Sequence, residues 1–207
     1  QAALRNITLN MKKSSLNAIV GPVGAGKTSF LLSFTGEMPK TTGKLRYSGK
    51  IAYVEQEPTI FGGTFRESVL FGKDYDEAFY QKVIKVCNLE NDLKLFPQGD
   101  MSMIGEGGNN LSGGQKARLA LARAVYANAD IYLLDDPLSA VDAKVAKSIY
   151  QDCIKGLLKE KTVILVTHRV YFVRDVENII VMEKGKVVAT GNLNQLKKQG
   201  VDVNTIF

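Results

Sequence analysis

The segment that decides the fold is Leu16-Asn17-Ala18-Ile19-Val20-Gly21-Pro22-Val23-Gly24-Ala25-Gly26-Lys27-Thr28-Ser29-Phe30-Leu31-Leu32. It begins with a short, mostly apolar run that is typical of a buried strand, and it ends in a stretch that predicts a helix. Between the two, residues 21–28 match the pattern G-x-x-x-x-G-K-[ST]. Backbone amides in a loop of this kind converge on phosphate oxygens, and the start of the helix adds positive potential. The segment therefore predicts a phosphate-binding loop in an α/β fold.

Each residue type in this loop has a chemical reason to be there. Glycines allow the backbone to approach phosphate, because a Cβ atom would block that approach. We expect Lys27 to reach the β- and γ-phosphates and the Thr28 hydroxyl to ligate Mg²⁺. The expected ligands are ATP and Mg²⁺, and the expected ATP-binding residues are Gly21, Pro22, Val23, Gly24, Ala25, Gly26, Lys27, Thr28 and Ser29.

A second motif, Ile131-Tyr132-Leu133-Leu134-Asp135-Asp136, is an apolar run that ends in two carboxylates. A carboxylate at the carboxyl end of a central strand lies beside the phosphate loop in this type of fold. We expect Asp135 to hold Mg²⁺ through water, because Mg²⁺ keeps much of its hydration shell. The alternative interpretation is a surface aspartate that caps the next turn.

A third motif, Leu111-Ser112-Gly113-Gly114-Gln115, begins a predicted helix that extends to Tyr126. The start of this helix, with Ser112 and the amides of Gly113 and Gly114, forms a second anion site. One domain cannot easily aim two helix starts at one γ-phosphate, whereas two domains that face each other can. The motif therefore predicts an ATP site that a second protein surface completes.

The order of the remaining segments predicts the architecture. Apolar strands at residues 51–54, 131–134, 163–166 and 179–182 alternate with helices, including one over 142–158, which indicates a mostly parallel sheet covered on both faces. Alternation of Ile7, Leu9 and Met11 with polar residues predicts a further, half-buried strand. Helical patterns at 65–71, 76–88 and 91–96 interrupt the α/β order. We therefore expect one domain, with an α/β core at 1–61 and 129–207 and a helical subdomain at 62–128.

Composition sets limits on the function. The net charge of +6 is compatible with nucleic acid or anionic lipid, but we favour a solvated surface with a phosphate site. No basic cluster is interleaved with aromatic residues, so we expect no nucleic-acid partner. Cys87 and Cys153 lack metal-ligand spacing and are interpreted as reduced core thiols. The sequence shows no signal peptide and no membrane-spanning stretch, and its lack of an initiator Met suggests a domain from a longer chain.

Together these motifs resemble the nucleotide-binding domain of ATP-binding cassette (ABC) proteins over nearly the whole chain. The resemblance makes residues 21–28 the Walker A loop, residues 131–135 the Walker B strand and residues 111–115 the family signature. It implies a P-loop ABC ATPase fold, in which an antiparallel β subdomain accompanies the mostly parallel sheet and the inserted helices. Residues 21–26, 57–64, 69–72 and 135–142 are most similar to subfamily C, which contains the multidrug-resistance-associated exporters and relatives of the cystic fibrosis chloride channel. The similarity is greatest to the first of their two nucleotide-binding domains.

The resemblance also implies roles for residues outside the three motifs. Gln56 falls at the Q-loop, where it would contact Mg²⁺ and take part in catalysis, and Asp142 falls at the D-loop. His168, the only histidine, falls at the catalytic H-loop. In the family, two nucleotide-binding domains meet head to tail around two ATPs, and transmembrane domains of the same polypeptide hold them at the cytoplasmic face of a membrane. The implied activity is ATP hydrolysis coupled to transport, with little activity in the isolated domain.

Two departures from the family pattern change the expected activity. Most members have Glu after the Walker B Asp as the general base, whereas this chain has Asp136. The shorter side chain withdraws the carboxylate by about 1 Å, and a displacement of that size can cost about 10²-fold in rate. We therefore expect this Walker site to bind ATP and hydrolyse it slowly. The aromatic residue that usually stacks on adenine lies before the first residue of this sequence, so we expect weaker ATP binding than in a longer chain.

Three functions are compatible with these motifs. The first is the ATP-driven engine of a membrane exporter. The second is a regulatory module in which ATP gates a channel or receptor, and Asp136 supports it. The third is a soluble ABC ATPase that acts on DNA or ribosomes, but those proteins usually carry coiled-coil or tandem inserts and no heptads occur here.

Overall fold

A computed structural model describes residues 3–40 and 42–207. The strands are β1 (Leu16–Val20), β2 (Ile51–Val54), β3 (Gly63–Thr64), β4 (Met103–Ile104), β5 (Ile131–Asp135), β6 (Thr162–Val166), β7 (Asn178–Glu183) and β8 (Lys186–Gly191). The α-helices are α1 (Lys27–Leu32), α2 (Phe65–Leu70), α3 (Glu77–Val86), α4 (Glu90–Leu95), α5 (Gly113–Tyr126), α6 (Ala143–Ile149), α7 (Val170–Val173) and α8 (Leu193–Lys198). A π-helical segment, Tyr150–Leu157, continues α6.

Six strands form the main sheet in the order β2-β5-β6-β1-β7-β8. All neighbouring pairs are parallel except β7 and β8, which form an antiparallel hairpin. Strands β3 and β4 form a separate two-stranded antiparallel sheet. Because β5, β6 and β1 are adjacent and parallel, the residues that follow these three strands meet at one edge of the sheet.

Side chains of the central strands alternate between two cores, as the pleat requires. Tyr132 and Leu134 of β5 pack on the side of α2, α3 and α5, whereas Leu133 packs on the opposite side with α1. Helices α2 to α5 thus share a core with one face of the sheet, and α1 covers the other face. The phosphate loop, which joins β1 to α1, lies at the rim of that second core.

The α/β fold agrees with the sequence analysis, and strands β2, β5, β6 and β7 lie where the apolar runs predicted them. The prediction of a strand at Ile7, Leu9 and Met11 is wrong. These side chains are half-buried against the α1 side of the sheet, but the backbone around them is irregular and has no ladder partner. Burial on one side of an irregular segment produced the same alternation as a strand would.

Two further differences concern continuity and direction. The helix predicted over 142–158 is divided into α6 and the π-helical segment. The hairpin of β7 and β8 brings antiparallel pairing into the main sheet, and most of β8 is exposed or half-buried. Within the described residues, no helix is both long enough and apolar enough to cross a bilayer.

Candidate nucleotide site

The site is built at the carboxyl edge of β1, β5 and β6. Gly21 follows β1, Asp135 is the last residue of β5, and His168 lies two residues after β6. The strand order makes these three positions neighbours although the sequence separates them widely. The fold therefore brings together the phosphate loop, the paired carboxylates and the single histidine, as the sequence analysis expected.

The phosphate loop requires glycine at both ends for different reasons. A Cβ atom on Gly21 would lie 2.2 Å from the Met182 carbonyl oxygen, so a side chain there would collide with β7. Gly26 precedes α1 with φ of 100°, a left-handed conformation that glycine adopts without strain. No side chain caps α1 at this position. The first amides of α1 are therefore left to bind an acceptor other than a side-chain cap, as a phosphate would be.

The loop residues differ in exposure. Val23 is almost fully exposed, Pro22 and Gly24 are exposed, and Ala25 is buried. Ser29 is half-buried on the first turn of α1. The crest of the loop is thus open to a ligand while its base is packed against the core.

Lys27 is held at the centre of the loop. Its Nζ donates hydrogen bonds to the carbonyl oxygens of Gly21 at 2.7 Å and Pro22 at 2.9 Å. Burial lowers the pKa of Lys27, and the charges of Asp135 and Asp136 partly oppose that change. A buried ammonium beside two carboxylates is placed to interact with the charges of a bound polyphosphate.

The side-chain oxygens of Thr28 and Asp135 lie next to each other. The Thr28 hydroxyl donates to Asp135 Oδ2 at 2.7 Å, across the gap between α1 and β5. Burial raises the pKa of Asp135, while the Thr28 hydrogen bond, Lys27 and His168 act against the rise. A hydroxyl and a desolvated carboxylate are hard oxygen donors of the kind that Mg²⁺ prefers, so these residues fit the ion.

Asp136 is buried, with 6% of its surface exposed, and its φ of 46° is left-handed. Its amide donates to the Val166 carbonyl oxygen at 2.9 Å, which fixes the residue against β6. Burial raises the pKa of Asp136; His168 and Arg169 oppose the rise and Asp135 adds to it. The carboxylate thus lies in a poorly solvated position within electrostatic reach of His168.

His168 and Gln56 are both exposed. The charge of His168 lowers the pKa of Asp135 and of Asp136, which places its side chain near these two carboxylates. Gln56 lies just after β2, at the edge of the main sheet, in the chain that leads to the helices of the inserted block. Among residues 3–40 and 42–207, no hydrogen bond joins the Gln56 side chain to Lys27, Thr28 or Asp135.

The residues of the third motif form a second, separate helix start. Ser112 Oγ accepts from the Gln115 amide at 3.1 Å, and the Gln115 side chain accepts from the Ser112 amide at 2.9 Å. Leu111 is buried, whereas Ser112 and Gly113 are exposed. This reciprocal capping box fixes α5 while leaving its first residues open to solvent.

Asp142 caps α6 by accepting from the amides of Lys144 at 3.0 Å and Val145 at 3.3 Å. The loop between Asp136 and Asp142 passes close to the start of α5, because a Cβ atom on Gly114 would lie 3.3 Å from the Ala140 carbonyl oxygen. The structure therefore places Gly114 of the third motif against the loop that leads to Asp142.

Sequence reasoning missed three features around the site. The Asp92 carboxylate accepts from the Gln115 side chain at 3.0 Å and pairs with Arg118. Arg169 donates to backbone carbonyls of the loop before Asp142. Phe61 and Phe71 are half-exposed in a groove beside the Gln56 loop. The Asp92 and Arg169 contacts join distant segments or use backbone acceptors, neither of which a sequence pattern records.

Comparisons with known proteins identify the family of the chain. Residues 4–139 match the family model described as ABC transporter. The chain is 48% identical over 204 residues to "ATP-binding cassette sub-family C member 4" of Mus musculus, covering 99% of this chain and 15% of the relative. It is 48% identical over 198 residues to "ABC transporter C family member 9" of Arabidopsis thaliana, covering 96% of this chain and 13% of the relative.

Similarity therefore extends over almost all of the chain, which spans about 15% of the length of its mouse relative. It includes the phosphate loop, the third motif and the paired carboxylates. In the structure the phosphate loop lies beside the carboxylates, and the third motif lies beside the loop that follows them. The chain belongs to the ABC transporter family, as an ATPase domain of the subfamily C type.

Proposed function

We propose that this chain is the first nucleotide-binding domain of an ABC exporter and pairs head to tail with a second nucleotide-binding domain. The observation that carries the proposal is the presence of two anion-binding helix starts in one chain. The start of α1 is grouped with Asp135, Asp136 and His168, whereas the start of α5 is exposed and lies beside the loop that leads to Asp142. A partner domain that presents its own α5 start completes the ATP site, and this chain does the same for the partner.

In this arrangement the phosphate loop would hold ATP, the Thr28 hydroxyl would ligate Mg²⁺, and Asp135 would hold the ion through water. Gln56 would contact the ion from the loop after β2. When bound, Mg²⁺ supplies charge neutralisation at the phosphates. Lys27 provides a fixed positive charge, and His168 contacts the γ-phosphate from the segment after β6. The binding of ATP then shifts the pair of domains toward the closed state by its differential affinity for that state.

We further propose that this chain's own Walker site is degenerate. A general base must lie within about 2.6–3.2 Å of the proton that it takes. Asp136 is one methylene shorter than Glu, and its buried, left-handed backbone leaves little room for compensation. The site therefore retains ATP, and Ser112 and its neighbours contribute to hydrolysis at the partner's Walker site.

The experiment for this proposal is Asp136→Glu in the full transporter that carries this chain. We expect ATP turnover to rise, by about 10-fold or more if the carboxylate regains its position. Asp74→Glu, at an exposed position outside the motifs of the site, is the matched control and leaves the Walker site intact. Turnover that stays flat or falls in Asp136→Glu would show that the missing methylene does not limit hydrolysis.

The membrane partner is proposed to dock in the groove beside the Gln56 loop, which has a volume of about 440 Å³. Phe61 and Phe71 present ring centroids 5.6 Å apart in this groove, and Arg123 lies 5.9 Å and 5.3 Å from them. A helix from the transmembrane domains is the proposed occupant, since some 85% of the length of the mouse relative lies outside the region that this chain matches. The groove joins the Gln56 loop to the helical block, so it links nucleotide state to transport at the cytoplasmic face.

Phe71→Asp tests this docking. We expect transport to fall at least about 10-fold, because a charge replaces an apolar anchor, while ATP affinity of the domain stays within about twofold. Leu95→Asp, at another exposed apolar position on α4, is the control. Transport that survives Phe71→Asp at wild-type rates would exclude the groove as the docking site.

Asp136 also favours a second candidate, a regulatory module in which ATP gates a channel or receptor and turnover is incidental. The two functions are distinguished by measuring ion conductance and vectorial transport in the full protein. Transport that depends on hydrolysis supports the exporter, whereas conductance that depends on ATP binding alone supports the regulatory module.

A further inference from the structure

Arg169 makes a set of contacts that the proposed reaction does not use. Its Nη2 donates to the carbonyl oxygens of Val141 at 2.6 Å and Leu138 at 2.9 Å, and lies 3.4 Å from that of Ser139. These acceptors all belong to the loop that runs from Asp136 to Asp142. One half-buried guanidinium thus donates hydrogen bonds to several carbonyl groups of a loop that contains no β-strand.

The other end of Arg169 is fixed to the core. Its amide donates to the Thr167 hydroxyl at 3.0 Å, and Thr167 is buried between β6 and β1. The guanidinium lies 5.9 Å from the ring of Phe172, which stacks on Tyr150 at 4.5 Å. The segment that carries His168 is therefore rigid immediately on its carboxyl side.

The loop in turn touches the start of α5. Ala140 lies in the middle of the loop. If a Cβ atom were added to Gly113 or to Gly114, an atom of Ala140 would be its nearest neighbour in either case. Asp142 ends the loop and caps α6. A displacement of the loop therefore moves the surroundings of the third motif, which faces outward.

We propose that Arg169 is a positioning residue that couples the two ATP sites of the assembled pair. It ties His168, which contacts the nucleotide in this chain's own site, to the loop that supports Ser112, Gly113 and Gly114 for the partner's site. ATP bound here thereby favours the loop position in which the third motif is correctly aimed at the other ATP. The inference rests on the proposed pairing with a second nucleotide-binding domain.

A guanidinium suits this role because it donates several hydrogen bonds from one rigid plane and stays charged at all relevant pH values. A lysine keeps the charge but replaces the planar fork with a compact ammonium on a flexible stem. The role is therefore one of geometry, and the conservative replacement distinguishes it from simple charge compensation near Asp136.

The test uses the full transporter with Arg169→Ala, Arg169→Lys and the control Arg174→Ala, which removes an exposed arginine nearby. We expect kcat for ATP to fall about 10-fold in Arg169→Ala, because a displacement of about 1 Å can cost up to 10²-fold. KM for ATP and the melting temperature of the ATP-bound protein should change little, and Arg169→Lys should give an intermediate kcat. Arg174→Ala should match the wild type.

A second readout separates coupling from stability. In a His168→Ala background, Arg169→Ala should have a much smaller effect on kcat than in the wild type, since both changes interrupt the same connection. Additive effects, an unchanged kcat, or a fall in ATP affinity that equals the fall in kcat would each overturn the inference. If Arg169→Ala does not fold, the kcat and KM of Arg169→Lys decide in the same way. Absence of ATPase activity in the wild-type transporter would instead refute the proposed function.

Discussion

The starts of α1 and α5 differ in how their backbone amides are capped. Both offer backbone amides to an anion, but α1 begins at Gly26 without a side-chain cap and lies beside buried Lys27, Asp135 and Asp136. Helix α5 begins at Ser112 with a complete capping box. The first start lies beside buried charges, whereas the second is fixed by a capping box that leaves the Gly113 and Gly114 amides outside it and stays exposed.

This difference assigns different tasks to the two regions. Buried charges and uncapped amides give a bound polyphosphate a large advantage over water, so the α1 region is built for affinity. An exposed helix start is solvated by water when no anion is bound, so the free-energy cost of leaving it unoccupied is small. Such a start can approach and leave a ligand. The exposed α5 region is therefore suited to the contact with a partner domain that we propose.

The largest effect that separates the two regions concerns ATP affinity. In this domain, Lys27→Ala should weaken ATP binding about 10²-fold, because a buried charge-assisted contact is lost. Ser112→Ala should leave the affinity within about twofold, and Lys12→Ala, an exposed lysine, serves as the control. Titration with a fluorescent ATP analogue measures all three. Equal losses in Lys27→Ala and Ser112→Ala would contradict the division of tasks.

Ser112 offers an internal check on that prediction. Replacement of the cap by alanine costs about 1 kcal/mol of helix stability, while Ser112→Thr keeps a capping hydroxyl. In the full transporter, Ser112→Thr should therefore retain more turnover than Ser112→Ala. Identical turnover in the two variants would show that the hydroxyl is not used.

A smaller effect concerns the stability of the nucleotide-free domain. Burial raises the pKa of Asp136, so its ionised form is unfavourable in the folded state. Asp136→Asn should raise the free energy of unfolding by on the order of 1 kcal/mol at neutral pH. For a domain of this size that corresponds to about 2–4 °C in melting temperature, and Asp74→Asn at an exposed position is the control.

The pH dependence of that effect has a definite sign. A carboxyl whose pKa is raised by folding costs nothing when it is protonated in both the folded and unfolded states, and costs most above its folded-state pKa. The gain from Asp136→Asn should therefore be small below pH of about 4 and should grow as the pH rises. A gain that shrinks with rising pH would mean that the carboxylate is stabilised by its neighbours instead.

The sequence predicted the first region better than the second. Glycines, Lys27, Thr28 and the carboxylates after an apolar run are local signals, and the parallel strand order brings them together. The surroundings of Ser112 depend on Asp92 and Ala140, which reach it from other segments. Backbone acceptors such as Val141 have no sequence signature at all, which is why the contacts of Arg169 emerge only from the fold.

The irregular segment at Ile7 to Met11 shows the limit of periodicity. Alternating burial is shared by a strand and by any extended chain that lies along a hydrophobic surface. Only ladder hydrogen bonds distinguish the two, and they depend on a partner that the local sequence does not specify. The boundaries proposed for the helical subdomain, 62–128, stay a prediction, because its helices share one core with the sheet.

The most direct test of the division between α1 and α5 is single-turnover hydrolysis of ATP bound at this chain's own phosphate loop. It is measured in the domain alone and after addition of the cognate second nucleotide-binding domain. The account predicts that ATP is retained in both cases, with slow hydrolysis at this loop even when the partner is present. Rapid hydrolysis by the domain alone would contradict it.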